Sequence, residues 1–517
     1  MSVRIHPGLV LFLALVGLAD ESPAALHVVP DTYPSIQAAI DVAASGDTVQ
    51  VHAGQYPESL TVVGKDLVMI GEGPLSTMVR PSMPARVLRI GPWVTLSAYG
   101  FSFAGGQASQ GGGLHVGEGA VTTFRSCHFT DNLAISEYPG RGGGVFVYAG
   151  ARLVLRRCLI RKNSAAFSWQ YGDAVGGGIC ALAGAVVDAE STAFERNASA
   201  GFEGGFGGAV ALAGEGYFQS CTFDSNFAGY AACIGGNGLL SISGSVFRFN
   251  QGVYGPSTVS FAGDPYVIQT SVFHDNTNVG WHTLHMVGNG TIEFNTFAFN
   301  ESGTSPFYQY ACVFWEGTST IIRNNIVAQN RQWGMGSLEP QPAGAVRCND
   351  VWLNRDGNYA DEYALPDLTW QYDNLSVNPY FCDSTARDLD LRMGAPLANL
   401  GTCGQIGALP VGCGVTDAGP GSVTTTLELL PARPHPLRGS GVLSFVLATP
   451  SHARLEVLDV AGRRVAVVFD GWLPAGRHEQ SWSARGGDGN ALPAGVYVLR
   501  LEAGGFRRVQ RLVVLGR

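Results

Sequence analysis

Three acidic side chains, Glu137, Asp173 and Glu203, fall in successive long loops of a repeating chain. Carboxylates on neighbouring segments are what glycosidic hydrolysis uses, one as acid and one as base or nucleophile. The same oxygens would equally serve a calcium ion in lyase chemistry. Arg141 lies close by in sequence and offers a guanidinium to an acidic sugar. A second group follows further on: His274-Asp275, Trp281, His282, His285 and Trp315-Glu316 supply groups for acid–base work or a metal. His282 and His285 are three apart, so on a strand they are expected to face opposite sides. The ordinary state of any one of these acids is a solvated loop carboxylate.

Aromatic residues accompany both groups. Tyr138, Trp169 with Tyr171, Phe202, Tyr230, Tyr254, Trp281, Phe307 with Tyr308, Trp333 and Tyr359 each follow an asparagine by three to eight residues. If those asparagines mark one corner of a repeating coil, the aromatics form a stripe along it. An indole or phenol with one wet edge suits the apolar face of a sugar ring, and a stripe suits a polymer. The competing use is structural, an aromatic ladder that stacks on itself to cover the corner.

The asparagines that act as the ruler are Asn132, Asn163, Asn197, Asn226, Asn250, Asn276, Asn300, Asn330 and Asn354. Each ends a phrase such as the CTFDSN that begins at Cys221 or the SVFHDN that begins at Ser271, and successive spacings run 31, 34, 29, 24, 26, 24, 30 and 24 residues. A period in the twenties to thirties marks a solenoid. Two residues into each phrase stands Phe129, Ile160, Phe194, Phe223, Phe247, Phe273, Phe297, Val327 or Val351. Residues two apart on a strand share a face, so the start position and this apolar residue both point inward. The apolar residue three before the start is out of phase, so the chain turns a corner between them. Each coil is thus expected to give two short strands to two sheets. The closing asparagine tolerates left-handed geometry, and its amide can bond its copy one coil on.

A second column reads GGGLHV at Gly111, GGGVFV at Gly142, GGGICA at Gly176 and FGGAVAL from Phe206. Glycine there suits a tight bend where backbones approach closely. The abundance of Gly, Thr, Val and Phe excludes helical repeats. Near the start, Ile36 and Ile40 lie four apart in the stretch from Ser35 to Ala44, which reads as a short amphipathic helix capping the first coil. Thr48-Val49-Gln50-Val51 then opens the solenoid.

These units resemble the right-handed parallel β-helix of the pectin-lyase-like superfamily. The run from Thr32 to Val62 is similar to the start of such folds, and the pairing of Gly-Gly-Ala and Phe-x-x-Asn elements is similar to chlamydial polymorphic outer-membrane adhesins. The resemblance implies an all-β rod acting on or binding glycans. The Asn-Thr-Asp, Asp-Asp, Gly-His-Gly and Arg-Ile-Lys run of polygalacturonases is absent, and Lys65 and Lys162 sit in no pectate-lyase motif. The sequence reading is therefore a glycan-engaging binder, with a polysaccharide lyase or glycoside hydrolase and an adhesin with protein partners as the alternatives.

Arg4 and His6 precede the apolar run Leu9 to Leu18 and the small residues around Ala24-Ala25, as in a signal peptide over 1–25. No later stretch is long and apolar enough for a transmembrane segment. The solenoid is expected over 26–413, a Gly/Pro/Thr-rich linker over 414–426, and a β-sandwich over 427–517. Asp459-Val460-Ala461-Gly462-Arg463, Leu473-Pro474-Ala475-Gly476, Trp482 and Ala494-Gly495-Val496-Tyr497 make this last part similar to type IX secretion sorting domains and the Ig-like domain of flagellar hook-assembly proteins. In the family's Pro-Asn-Pro-Phe place this chain has Pro434-His435-Pro436-Leu437. That resemblance implies a secretion-machinery partner and a surface or extracellular location in a Gram-negative-type bacterium.

Ten cysteines in an exported chain point to disulfides, with Cys382, Cys403 and Cys413 clamping the last coils. Cys127 and Cys158 occupy equivalent coil positions and read as stacked small apolar residues. No cysteine pair has the two-residue spacing of a zinc site. From Leu427 on there are twelve Arg and seven acidic residues, net +5, which leaves −14 for the rest. An acidic solenoid argues against nucleic acid as a partner.

Overall fold

The structure, a computed structural model, describes residues 24–136, 140–167, 174–200, 205–253, 255, 257–302, 310–360, 364–413, 427–430, 432–447, 451–459, 462–473, 476–487, 489–503 and 506–515. Residues 1–23 of the expected signal peptide and the whole expected linker lie outside these. The chain divides into two compact units, one of residues up to Pro379 with Asn399–Ala408, the other of Tyr380–Ala398 with Leu409 onward.

The first unit is a β-solenoid. Each full coil feeds four parallel sheets rather than the expected two. A middle coil runs Val121–Arg125, His128–Thr130, Leu133–Ser136 and Val145–Val147, and these strands belong to sheets of 13, 12, 8 and 11 strands. They are called sheets 1 to 4 below. The count was underestimated because the strands of sheet 3, such as Gln251–Gly252, are as short as two residues and leave no alternation to read. The first solenoid strand comes before Thr48–Val51. Leu26–Val29, ahead of the helix, pairs in parallel with Thr48–Val51. The helix Ile36–Val42 buries Ile36, Ala39 and Ile40. Its first backbone N–H groups, on Ile36 and Gln37, donate to the Glu58 carboxylate at 2.9 Å each, which satisfies orphan donors at the positive end of the helix.

What holds consecutive coils in register is the asparagine column. Each side-chain Nδ2 donates to Oδ1 of the next asparagine at 2.9–3.0 Å, from Asn132 through Asn163 to Asn354. The backbone N–H donates to the same oxygen. The other Nδ2 hydrogen meets a core carbonyl, as Asn226 meets Phe194 at 2.8 Å. Every ladder amide is therefore satisfied within the buried interior. The left-handed residue is not the asparagine but the one before it: Asp131, Lys162, Arg196, Ser225, Phe249, Asp275, Phe299, Gln329 and Leu353 have φ between +50 and +59°. A left-handed conformation costs about 1–2 kcal/mol in a residue with a Cβ, and the buried amide next to it offsets that by locking the corner.

A second ladder stands at the phrase starts. Early coils place Cys127, Cys158, Thr192, Cys221, Ser245 and Ser271 there, and later coils switch to Asn295, Asn325, Asn349 and Asn374, bonded at 2.9–3.0 Å. The three cysteines of this column are buried free thiols, Cys158 donating to the Phe124 carbonyl at 3.3 Å. Between the ladders the inward Phe residues stack. Phe194, Phe223, Phe247, Phe273 and Phe297 have successive centroids 4.4–4.7 Å apart.

The glycine column behaves as expected. Gly111, Gly142, Gly176 and Gly207 have φ of +60 to +70°, and a Cβ on Gly142 would lie 2.2 Å from the Val145 carbonyl oxygen.

The last strand of the four parallel sheets is Asp350–Trp352. Residues Asn399–Ala408 fasten to the final coils. Asn324 Nδ2 donates to the carbonyls of Cys403 and Gln405 at 2.7 and 3.0 Å, and a disulfide joins Cys403 to Cys348. In the second unit, Phe381–Asp383, Asp388–Arg392 and Val411–Cys413 form a small sheet crossed by the Cys382–Cys413 disulfide. The same unit contains eight strands between Glu428 and Leu515 around a core of Leu437, Phe445, Leu455, Val457, Leu499, Leu501 and Leu512. The Tyr497 hydroxyl donates to the Pro493 carbonyl at 2.9 Å.

Candidate functional site

Sheet 4 and the bend before one of its strands bring reactive and aromatic side chains together. Three of its neighbouring strands are Val259–Ala262, Leu284–Val287 and Ala311–Glu316. Alternation sends Val259, Phe261, Leu284, Met286, Val313 and Trp315 into the core, all 0–1% exposed. The opposite face receives the others. Parallel register places Ser260 beside His285 and His285 beside Phe314, with Glu316 beside Val287.

On that face His285 Nε2 is 2.9 Å from Glu316 Oε1, and His285 Nδ1 is 3.5 Å from Ser260 Oγ. The bond from His285 holds the Glu316 carboxyl below the ordinary carboxylate range. His282 is buried and stacks on Phe314 with centroids 4.1 Å apart and planes 7° apart. Burial, and then the nearby His285, pushes its imidazole down to about 3, so it is neutral at physiological pH. Its Nδ1 faces the backbone of Ala311, 3.1 Å from the N and 2.9 Å from the O. Trp281 lies over this group, its ring 6.2 Å from Tyr310 at an interplanar angle of 23° and 6.2 Å from His285. Its indole is 38% exposed.

This corrects the expectation that His282 and His285 point to opposite sides. Their ring centroids are 5.4 Å apart. The strand begins only at Leu284, so His282 belongs to the bend before it, where the two-residue alternation does not apply. Glu316 joins them from the next coil. His274 does not, since it lies on sheet 2 paired with Asp275 at 2.7 Å. Ser260, Tyr310 and Phe314 were missed by sequence reasoning. Ser260, His285 and Phe314 hold the same position in three consecutive coils, a register that only the folded chain shows.

Of the residues expected to act, Glu137, Asp173, Glu203, Tyr138, Trp169, Tyr171, Phe202, Tyr254, Phe307 and Tyr308 lie outside the described residues. Tyr230 is half-buried, bridged to Phe206, with its ring against Gly255. Trp333 is half-buried at the head of the strand next to Ala311–Glu316, its ring over Gly357. Tyr359 is buried. Arg141 bridges Gln110 and Val175.

One further cluster has metal-ligand elements: Cys348, Asp373 and Cys403 bring ligand atoms within 4.8 Å of one another. Its two sulfurs are joined in a disulfide, so neither is a thiolate donor. It borders a cavity of about 370 Å³ with Arg323, Arg347 and Thr402. Among the described residues no helix is long and apolar enough to cross a membrane.

Residues 437–505 match the FlgD Ig-like domain family. The C-terminal strands are thus an Ig-like domain of that kind. No curated protein matches the chain. Two solved structures overlap it at 10% identity. One is a pectin methylesterase mutant in complex with a hexasaccharide, covering 70% of this chain and 94% of that one with a TM-score of 0.17. The other is the enzymatically active domain of tailspike protein 4 of bacteriophage CBA120, covering 90% of this chain and 64% of that one with a TM-score of 0.23. Overlaps this loose transfer neither a substrate nor a reaction.

Proposed function

We propose that this is an exported solenoid that engages a polysaccharide or surface glycan on the outer face of sheet 4. The observation that carries the reading is Trp281, a large indole left 38% exposed on a bend otherwise packed with buried rings. Tyr310 beside it extends the apolar shelf, and the His285–Glu316 pair at its edge offers a donor and an acceptor. A sugar presents the same combination, C–H faces to stack and hydroxyls to bond. Export is supported by the n-region and apolar run before Ala25 and by two disulfides, which persist in oxidising compartments. The Ig-like domain is then the part that meets the secretion machinery.

The test is a polysaccharide panel applied to the mature full-length protein and to Trp281→Ala, with and without calcium. Retained binding in a folded Trp281→Ala variant would move the site elsewhere. New reducing ends or unsaturated uronate absorbance would turn the binder into a hydrolase or lyase. Silence on the panel together with binding to whole cells would favour a protein partner.

A further inference from the structure

We infer that Ser260, His285 and Glu316 form a line of nucleophile, base and orienting carboxylate that hydrolyses an O-acyl ester on the bound sugar. The inference rests on the glycan reading only for what carries the ester. The chemistry follows from the side chains themselves.

Three coils each contribute one residue, all on the same face, so the line is built by register rather than by a flexible loop. Glu316 at Nε2 requires the proton on that nitrogen and leaves the Nδ1 lone pair directed at Ser260 Oγ. That is the tautomer a general base needs. The Ser260 to His285 distance of 3.5 Å is long, as such bonds are before substrate arrives. Glu316 is one-third exposed and ionised, so it can stabilise an imidazolium. His282 cannot replace His285 as the base, since burial opposes its taking up a proton and its Nδ1 is turned to Ala311.

The same geometry argues against glycosidic cleavage here. That reaction wants two carboxylates flanking the bond, and among the described residues Glu316 is the carboxylate hydrogen-bonded into this cluster. An ester needs less. Its alcohol leaves with a single proton, which one imidazole can deliver.

The step balances with water as the second reactant. Ser260 Oγ bonds to the acyl carbon as its proton passes to His285 Nδ1. The bond from acyl carbon to sugar oxygen breaks, and the sugar oxygen takes that proton. Water then adds to the acyl carbon and gives a proton to Nδ1. The bond to Oγ breaks, Nδ1 returns the proton to Oγ, and the carboxylic acid leaves. The Trp281 and Tyr310 shelf would hold the sugar beside this line.

The experiment uses the full-length mature protein and a fluorophosphonate probe, with peptide mass spectrometry to locate the adduct. p-Nitrophenyl acetate hydrolysis is followed in parallel. A single adduct on Ser260 is expected, lost in Ser260→Ala and slowed roughly 100-fold or more in His285→Gln. Glu316 acts through His285 as a positioning residue, so Glu316→Gln should lower the rate and shift the pH profile of labelling as well. No adduct on Ser260, or ester hydrolysis unchanged in Ser260→Ala, overturns the inference. The two readings separate cleanly. Glycan binding that depends on Trp281 without Ser260 labelling leaves the platform and removes the esterase. Ser260 labelling without glycan binding does the reverse.

Discussion

Asn226 donates its side-chain Nδ2 to Oδ1 of Asn250 at 3.0 Å, and its backbone N–H donates to the same oxygen at 2.9 Å. One carboxamide oxygen thus closes two bonds from the coil before it. Asn226 in turn accepts both donors of Asn197 at 3.0 Å. Replacing it breaks the column in the middle. Asn226→Ala leaves the Asn197 backbone N–H and Nδ2 without that acceptor, in a position that is 0% exposed. The expected cost is about 3 kcal/mol, read by chemical denaturation. A loss under about 0.5 kcal/mol, the size of an ordinary surface change, would mean the ladder is ornamental.

Glycine demand differs between two superficially similar turns. Gly142 has φ of +65° and its Cβ would meet the Val145 oxygen at 2.2 Å, whereas Gly150 has φ of +70° with nothing within 4 Å. Gly150→Ala should cost only the left-handed penalty, about 1 kcal/mol. Gly142→Ala adds a backbone clash and should cost about 3 kcal/mol or more. Comparing the two melting curves checks it, and equal costs would dismiss the close-packing argument.

Two tryptophans separate binding from folding. Trp281 is 38% exposed on the bend before Leu284, and Trp315, on the next coil, is 0% exposed in the core. Trp315→Ala opens a cavity and should cost about 3–5 kcal/mol. Trp281→Ala should change stability by about 1 kcal/mol or less while weakening glycan binding. Matched unfolding of the two variants would assign Trp281 to packing.

Asp350 gives the solenoid a pH dependence. It is 0% exposed, accepts from the Val377 N–H at 2.9 Å, and has a second oxygen with no bonded partner. Burial pushes its carboxyl up to about 7. Below about pH 4 the folded and unfolded chains both hold the proton. Between about pH 4 and pH 7 only the folded chain does, so stability falls as pH rises through that window and levels off above it. The loss is on the order of a few kcal/mol. Asp350→Asn should match the parent near pH 4 and melt higher at pH 8. A variant with the parent's pH slope would remove Asp350 from the account.

Six cysteines are buried free thiols. Burial raises Cys127, Cys180, Cys221 and Cys312 to about 12 and Cys158 to about 11. Iodoacetamide should therefore leave the native protein unmodified and alkylate six sites after unfolding without reductant. Adducts on the native protein, located by peptide mapping, would contradict that burial.

The period, the inward Phe column, the glycine bends and the asparagine ladder were legible because each repeats with the coil. A repeated side chain must sit on its own copy, and an amide that sits on its copy can bond it. The capping helix was legible for a local reason, since Ile36 and Ile40 share a helical face. The number of sheets was not, because strands of two or three residues carry no alternation. Nor was the left-handed position. Asp131 and Phe249 have nothing in common as residue types, and only the buried neighbour fixes their φ.

The sequence by itself determined a solenoid with an Ig-like domain after it, since periodicity and turn chemistry are properties of the chain read along its length. Tertiary structure alone decided which side chains meet. His282 reaches His285 because the strand starts two residues after it, and Glu316 and Ser260 reach His285 because one coil of chain returns each to the same face. Coil lengths vary, so that return is set by hydrogen-bond register between coils and not by any fixed spacing in the sequence.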